Sequence, residues 1–164
     1  MIPIIALDPG TKSTGYVVLD GKDKVLTKGE MTNPQILKFI GGYGDWPHQR
    51  IIAVERILPN GSTLGESTRD TIEWAAWFFM AGSLERSVWV TRSEELRYYG
   101  VAPFQGGNND RRLRLAVVAE HRFEHKVSRS GAMIVPGWSS HTLAALAVGM
   151  VARDKIRMRD RVVR

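Results

Sequence analysis

Two short apolar runs in the first third of the chain each lead directly into an acid. Residues 4–7 read Ile-Ile-Ala-Leu before Asp8, and residues 51–54 read Ile-Ile-Ala-Val before Glu55. Continuous apolar runs of this length, without alternating polar residues, are typical of strands that are buried on both faces of a sheet. The pattern therefore predicts a strand over residues 4–8 and another over residues 51–54, each of which ends at or beside a carboxylate.

Three further strands and five helices complete the predicted order of elements. The strands cover residues 15–20, 24–31 and 87–91, with a hairpin turn at Asp20-Gly21 between the first two. The helices cover residues 33–40, 68–80, 94–99, 110–124 and 141–152, and their expected N-caps include Asn33, Ser67 or Thr68, Ser93, and Ser139 or Ser140. Hairpins followed by alternating strands and helices indicate one α/β domain, with a mixed five-stranded sheet flanked by helices.

Length and charge add a binding preference to this fold class. At 164 residues the chain has the size of a single domain. Its 23 Lys and Arg against 17 Asp and Glu give a net charge of +6, which favours a polyanionic partner such as nucleic acid. Residues 153–164 carry six of the cations and two of the anions. We therefore expect a folded domain over residues 1–152 and a basic C-terminal tail over residues 153–164.

The composition of the chain excludes several kinds of site. There is no cysteine, which rules out disulfides, thiolate catalysis and Cys-ligated zinc or iron–sulfur centres. The N-terminus reaches Asp8 before it could form the apolar part of a signal peptide, and no later apolar run approaches the roughly 18 residues of a membrane span. We expect a soluble, cytoplasmic protein with no membrane partner.

The two strand-end carboxylates are the first candidates for chemistry. A single acid at the end of a strand is usually a turn former or a cap, but the loop at residues 9–14, which follows Asp8, is rich in hydrogen-bond donors. If the two strands are neighbours, Asp8 and Glu55 emerge together at one edge of the sheet. Like charges that close favour a bound hard cation such as Mg²⁺. A carboxylate-held metal in a basic protein suggests phosphodiester chemistry.

Three segments of the chain resemble the RuvC-type Holliday junction resolvases, and in particular the bacteriophage-encoded branch of that family. They are Ile-Ile-Ala-Leu-Asp-Pro-Gly-Thr at residues 4–11 with Gly-Tyr-Val-Val at 15–18, Ile-Ala-Val-Glu at 52–55, and His-Thr-Leu-Ala-Ala-Leu-Ala at 141–147. The resemblance implies a ribonuclease H-like nuclease domain that works as a homodimer. It also implies metal-dependent, paired nicking of four-way DNA junctions in recombination and repair. Asp8 and Glu55 would bind two Mg²⁺ or Mn²⁺ ions per active site.

The late helix departs from the family pattern at two positions. The family's two late acids fall on His141 and Ala144. Imidazole binds Mn²⁺ and other borderline ions, or moves a proton for an attacking water, so His141 is expected to be a third catalytic and metal-binding residue. Alanine does neither. Either the fourth ligand is dispensed with, or Ala144 is an inactivating substitution, or another acid replaces it; Asp70 and Asp110 are the candidates, although the helix dipole alone favours acids at helix starts.

Basic residues near the predicted site are candidates for phosphate contacts. They are Lys12, Arg111, Arg112, Arg114, Lys126 and Arg129. Such charges are usually a solvated surface, but beside an acidic metal site they are expected to position the DNA without reading its bases.

The helix predicted over residues 68–80 is apolar almost all round its second half, Trp-Ala-Ala-Trp-Phe-Phe-Met at 74–80. One apolar face suffices to cover a sheet, so a second buried surface is expected, either in a two-fold dimer or within the monomer.

Two other functions fit the same residues. Ribosomal-RNA-processing nucleases share the Asp-Pro-Gly-Thr-Lys opening and a similar size, and a junction-binding protein with impaired catalysis would account for Ala144. Sugar kinases and actin-like ATPases resemble the opening too, but they need two such domains and are excluded by length.

Overall fold

The structure is a computed structural model, and it describes residues 2–41, 50–58, 65–82, 86–102, 109–128 and 133–162. The strands in these ranges are β1 (Ile4–Pro9), β2 (Ser13–Leu19), β3 (Val25–Thr32), β4 (Ile51–Arg56), β5 (Ser87–Thr91), β6 (Lys126–Val127) and β7 (Met133–Ile134). The helices are α1 (Asn33–Ile40), α2 (Glu66–Ala81), α3 (Arg92–Tyr98), α4 (Asn109–Glu120) and α5 (Ser140–Val162). Among the described helices, none combines the length and the apolar character that crossing a bilayer requires.

The first five strands form one mixed sheet in the order β3-β2-β1-β4-β5. β1 pairs antiparallel with β2 and parallel with β4, and β4 pairs parallel with β5. The prediction of a mixed five-stranded α/β sheet is confirmed. Because β1, β4 and β5 run in the same direction, their carboxyl ends meet at one edge, and this edge is where Asp8 and Glu55 lie.

Helices cover both faces of the sheet, which explains the unbroken apolar runs in β1 and β4. Ile4 and Ala6 pack with residues of α4 and α5 on one face, whereas Ile5 and Leu7 pack with residues of α1 and α2 on the other. All four of these β1 side chains are at most 1% exposed. Burial of a large aliphatic side chain contributes roughly 1.5–3 kcal/mol, so the strands that carry the acids are held firmly from both sides.

Three of the expected helix caps are wrong, and each real cap lies earlier in the chain. The observed N-caps of α1, α2 and α3 are Thr32, Gly65 and Thr91. At α3 the side chain of Glu94 accepts a hydrogen bond from the backbone N–H of Thr91 at 2.8 Å, and the Thr91 hydroxyl accepts one from the Glu94 N–H. This reciprocal capping box starts the helix as soon as β5 ends. At α5 the expected Ser139 does accept from the N–H of Thr142.

The C-terminal helix does not end near residue 152, as expected, but continues to Val162. Arg153 is 2% exposed, donates to the carbonyl of Ile2 and lies 2.9 Å from the carboxylate of Asp23. Lys155 pairs with Glu94 at 2.7 Å. Arg153 and Lys155, at the start of the predicted basic tail, therefore bind the body of the domain. These contacts explain why the helix continues through this segment.

The region after α4 also differs from expectation. The helix ends at Glu120 rather than near residue 124, and Arg122 just beyond it has a positive φ of 52°, a conformation that terminates a helix. The loop predicted over residues 122–131 contains β6, which forms a small antiparallel ribbon with β7.

Candidate active site

Asp8 and Glu55 lie side by side at the edge of the sheet. The β1–β4 register pairs Leu7 with Val54, so the next residue of each strand is the acid. Asp8 is 8% exposed and Glu55 is 7% exposed. Both line a cleft of about 300 Å³ that also contains His141 and Ala144. The structure thus brings together the pair of acids that the sequence predicted.

His141 enters the cleft from the first turn of α5. Its Nδ1 atom lies 2.7 Å from Oδ2 of Asp8, and its side chain is about half exposed. This hydrogen bond to Asp8 raises the pKa of His141 above its ordinary value of 6.5, against the opposing effect of burial. The predicted third site residue is therefore in contact with the first.

The approach of α5 to the sheet depends on Gly15. This residue lies opposite Asp8 in the β1–β2 pair, and a Cβ atom placed on it would be 2.6 Å from the backbone and the Cβ atom of His141. Any larger side chain would push the start of α5 away from the sheet. The Gly-Tyr-Val-Val segment thus contributes to the site through the space that its glycine leaves.

Arg92 is the central cation of the cleft, although it is not among the site residues predicted from the sequence. Its Nη2 atom lies 3.0 Å from Glu55, its Nη1 atom 2.8 Å from Glu95, and its Nε atom 3.5 Å from Asp110. Glu95, also missed, is completely buried, and its Oε1 atom has no hydrogen-bond partner in the described residues. A signal existed in the sequence: Arg92 directly follows the third parallel strand, whose carboxyl end shares the edge with those of β1 and β4.

The buried carboxyls of this cluster resist ionisation. Burial raises the pKa of Glu55 well above its ordinary value of 4.5, and the nearby charge of Glu95 adds to the rise while Arg92 opposes it. Burial likewise raises the pKa of Glu95 to about 8. Negative charge is therefore costly here unless a cation accompanies it.

The loop that follows Asp8 is fixed by a buried amide. Asn33 is 1% exposed, and its Nδ2 atom donates to the carbonyls of Gly10 and Thr11 at 3.0 and 3.2 Å. Its Oδ1 atom accepts from the hydroxyl of Thr14 at 2.7 Å. These bonds explain why Asn33 does not cap α1, and they hold the loop that carries the exposed Lys12.

The two candidate replacements for the missing acid at Ala144 lie in different places. Asp110, in the first turn of α4, lines the same cleft as Ala144 and is 66% exposed at its side chain. Asp70 is exposed in α2 and is not among the residues that line this cleft. Of the two, only Asp110 lines the cleft.

The predicted phosphate-binding residues are spread over several elements. Arg114 lines the cleft, Arg111 and Arg112 lie on the exposed side of α4, and the guanidinium of Arg112 donates to the carbonyl of Ala102 at 2.9 Å. Lys126 is exposed in β6. Arg129 lies outside the described residues.

Solved structures share this fold. The RuvC of T. thermophilus in complex with a Holliday junction substrate is 13% identical to the chain, with a TM-score of 0.60 and 96% of each chain covered. A second Thermus thermophilus RuvC structure is 14% identical, with a TM-score of 0.61 and the same coverage. No protein-family model matches the sequence, and no curated protein matches it either. The fold is thus of the ribonuclease H-like class. Within that class it is of the RuvC type, as the sequence motifs predicted.

A divalent cation is the group that this resemblance implies, and the donor chemistry of the cleft fits it. Asp8 and Glu55 supply the carboxylate oxygens that hard cations prefer, and His141 supplies an imidazole nitrogen. In the described part of the chain, no group of three or more Asp, Glu or His side chains is arranged so that it could hold a metal ion. Instead an oxygen of Glu55 is engaged by Arg92.

Proposed function

We propose that this chain is a metal-dependent endodeoxyribonuclease that resolves four-way DNA junctions. The observation that carries the proposal is the placement of Asp8, Glu55 and His141 on one cleft at the edge of a RuvC-type sheet. The basic character of the chain, +6 overall, supports a nucleic-acid substrate. The reaction is hydrolysis of a phosphodiester, with no covalent enzyme intermediate.

Asp8, Glu55 and His141 would hold the divalent cations, two per site as the family resemblance implies. When bound, such ions activate water and stabilise the leaving 3′ oxygen. The chain's own contribution is to fix the ligands in advance. The strand register holds Asp8 beside Glu55, and Asn33 fixes the loop that follows Asp8.

Basic residues on two sides of the cleft would hold the DNA. Lys12 lies in the loop that Asn33 fixes beside Asp8, and Arg114 lines the cleft from α4. Arg111 and Arg112 extend the positive surface along the first turns of α4. Contacts of this kind go to phosphates, so they position a branched DNA by its shape and charge rather than by its sequence.

A homodimer would supply two such sites, one for each strand to be cut. Trp77 and Met80 of α2 are 62% and 61% exposed, and Leu58 beyond β4 is 50% exposed. Exposed apolar side chains of this size favour burial in an interface with a second copy of the chain. Sedimentation of the protein at micromolar concentration tests this part, with Trp77→Arg as the variant that should become monomeric. A wild-type monomer would contradict it.

Ala144 supports a second candidate function, namely junction binding without efficient cleavage. It lines the cleft where the family pattern has an acid, and alanine offers no ligand. A nicking assay on four-way junctions separates the two. Cleavage that Asp8→Asn abolishes supports the nuclease, whereas tight junction binding with no nicking in either Mg²⁺ or Mn²⁺ supports the binding protein. Preference for structured RNA over junction DNA would favour an RNA-processing nuclease instead.

A further inference from the structure

Arg92 directs each of its three side-chain nitrogen groups at a different carboxylate. Glu55 comes from β4, Glu95 from the next turn of α3 and Asp110 from α4. The guanidinium thus ties together three elements at the edge of the cleft. Its side chain is about one-third exposed, so it lies at the boundary between the buried acids and the open cleft.

The position of this guanidinium matters because Glu55 is a proposed metal ligand. The Oε1 atom of Glu55 lies 3.0 Å from Nη2 of Arg92, and an oxygen bound to a guanidinium in this way is less available to a metal ion. Two cations placed this close would also repel each other strongly. A metal ion and the Glu55-facing amino group of Arg92 are therefore competitors for the same carboxylate.

The other two partners of Arg92 can keep the guanidinium paired when Glu55 is released. Glu95 is fully buried at 2.8 Å from Nη1, and it has an Oε1 atom without a hydrogen-bond partner in the described residues. Asp110 is 66% exposed at its side chain and lies on the open side. Release of Glu55 leaves Arg92 paired with both of these acids, so it need not enter solvent as an unpaired cation.

We propose that Arg92 is an internal counter-ion that competes with the divalent cation for Glu55 and so sets the metal affinity of the site. This inference rests on the metal-dependent nuclease proposed above. Arg92 is a positioning residue in this account: it holds Glu55 in place while the site is empty and gives it up when a metal binds. Removal of its charge should make the isolated protein bind metal more tightly.

Whether the loss of Arg92 strengthens or weakens metal binding distinguishes this role from a merely structural one. If Arg92 only held the three elements together, its loss would loosen Glu55 and weaken metal binding. If Arg92 competes with the metal, its loss strengthens metal binding. The readout is therefore the affinity of the DNA-free protein for Mg²⁺, measured by calorimetry, and it does not depend on cleavage.

The variants are Arg92→Gln, which removes the charge but keeps an amide that can reach a carboxylate, and Arg97→Gln as the matched control. Arg97 lies on the same helix and carries the same charge, but it borders a different cavity with Tyr98 and Met158. We expect Arg92→Gln to bind Mg²⁺ about tenfold more tightly than wild type, within the usual range of coupling between sites. Arg97→Gln should match wild type.

Unchanged or weaker Mg²⁺ binding by Arg92→Gln would overturn the counter-ion role while leaving the nuclease proposal intact. Absence of Mg²⁺ binding in wild type and both variants would overturn the metal-dependent function and this inference with it. If Arg92→Gln fails to fold, Arg92→Met takes its place. It also removes the charge and keeps a long side chain, so this variant should also bind Mg²⁺ more tightly than wild type.

Discussion

The Nδ1 atom of His141 lies 2.7 Å from the Oδ2 atom of Asp8, although 133 residues separate the two in the chain. The contact joins the first strand of the sheet to the last helix. It exists because β1 is buried from both sides and because α5 can approach β2 closely at Gly15. A long-range contact between an acid and an imidazole in an open cleft is a feature of sites that bind ligands or perform chemistry.

This contact predicts a shifted titration of His141 in the metal-free protein. The pKa of His141 should be above 6.5, because the hydrogen bond to Asp8 favours the protonated ring. Since the folded-state pKa is raised, the protonated pair stabilises the fold fully below pH 6.5, and that contribution is lost as the pH rises through the folded-state pKa. The measurement is an NMR titration of the ring protons in the presence of a chelator.

Asp8→Asn provides the comparison for this titration. It removes the charge that favours the protonated ring, so the pKa of His141 should fall. His121 is the internal reference, because it follows the C-terminal end of α4, whereas the cleft lies at the N-terminal end. Its ring contacts Tyr99 rather than Asp8, and burial lowers its pKa. A His141 pKa that does not change in Asp8→Asn would contradict the contact.

Gly15→Ala should damage the site by steric displacement alone. The new Cβ atom would lie 2.6 Å from the backbone of His141, so the start of α5 must move away from Asp8. We expect a loss of stability of about 1–3 kcal/mol, typical of overpacking, and a fall in nicking of at least about tenfold. Denaturant unfolding and junction nicking measure the two effects.

Gly65→Ala is the matched control for this substitution. Gly65 has a negative φ, and nothing lies within 4 Å of the position that its Cβ would occupy. This variant should lose no more than the small contribution of a helix cap and should nick at the wild-type rate. Equal activity in Gly15→Ala and wild type would show that the close approach of α5 is unimportant.

The sequence predicted the sheet and the acid pair because both depend on local patterns. The apolar runs that end at Asp8 and Glu55 need no tertiary information to be read as buried strands, and parallel pairing then places the acids together. The role of Arg92 depends on three contacts from separate elements. No periodicity encodes these contacts, because they depend on the position of β5 next to β4 in the folded sheet.

The length of α5 was underestimated for a similar reason. A run of charges such as residues 153–162 is typical of a solvated segment when considered alone. Arg153 is instead buried against Ile2 and Asp23, which come from the opposite end of the chain. Partners so distant in sequence leave no local signal, whereas Ser87–Thr91 was predicted with its observed bounds because β-branched residues dominate it.

Ala144→Asp should increase cleavage, because it adds a carboxylate on the wall of the cleft one helical turn beyond His141. Mg²⁺ prefers oxygen ligands, whereas imidazole suits Mn²⁺ better, so wild type should cleave faster in Mn²⁺ than in Mg²⁺ at matched concentrations. The added acid should raise the Mg²⁺-supported rate by about tenfold or more, as expected for a new hard ligand.

Initial rates of junction nicking in the two metals check this prediction. Equal or faster cleavage by wild type in Mg²⁺ would contradict a ligand role for His141. An unchanged Mg²⁺-supported cleavage rate in Ala144→Asp would indicate that the cleft already has its full set of acids. Asp110 would then be the candidate for the acid that replaces the one absent at position 144.

Substitution of Arg111 and Arg112 together by alanine should weaken junction binding and reduce its salt dependence. Each lost phosphate contact lowers the slope of log K against log salt by about 0.9, so the pair should lower it by up to about 2. Fluorescence anisotropy over a series of salt concentrations measures the slope. The charge-matched control is the double variant Lys22→Ala and Lys24→Ala, in the turn at the opposite edge of the sheet. If both double variants have the same slope, the start of α4 is not in the DNA interface.

The most direct test of the whole account is the nicking of a labelled four-way DNA junction by wild type and by Asp8→Asn, each in Mg²⁺ and in Mn²⁺. Asp8 contacts His141 and lies beside Glu55, so its loss disrupts the site without adding bulk. We expect paired nicks by wild type that depend on the divalent cation, and a loss of nicking of at least about a hundredfold in Asp8→Asn with junction binding retained. Equal nicking by the two proteins, or none by wild type in either metal, would contradict this expectation.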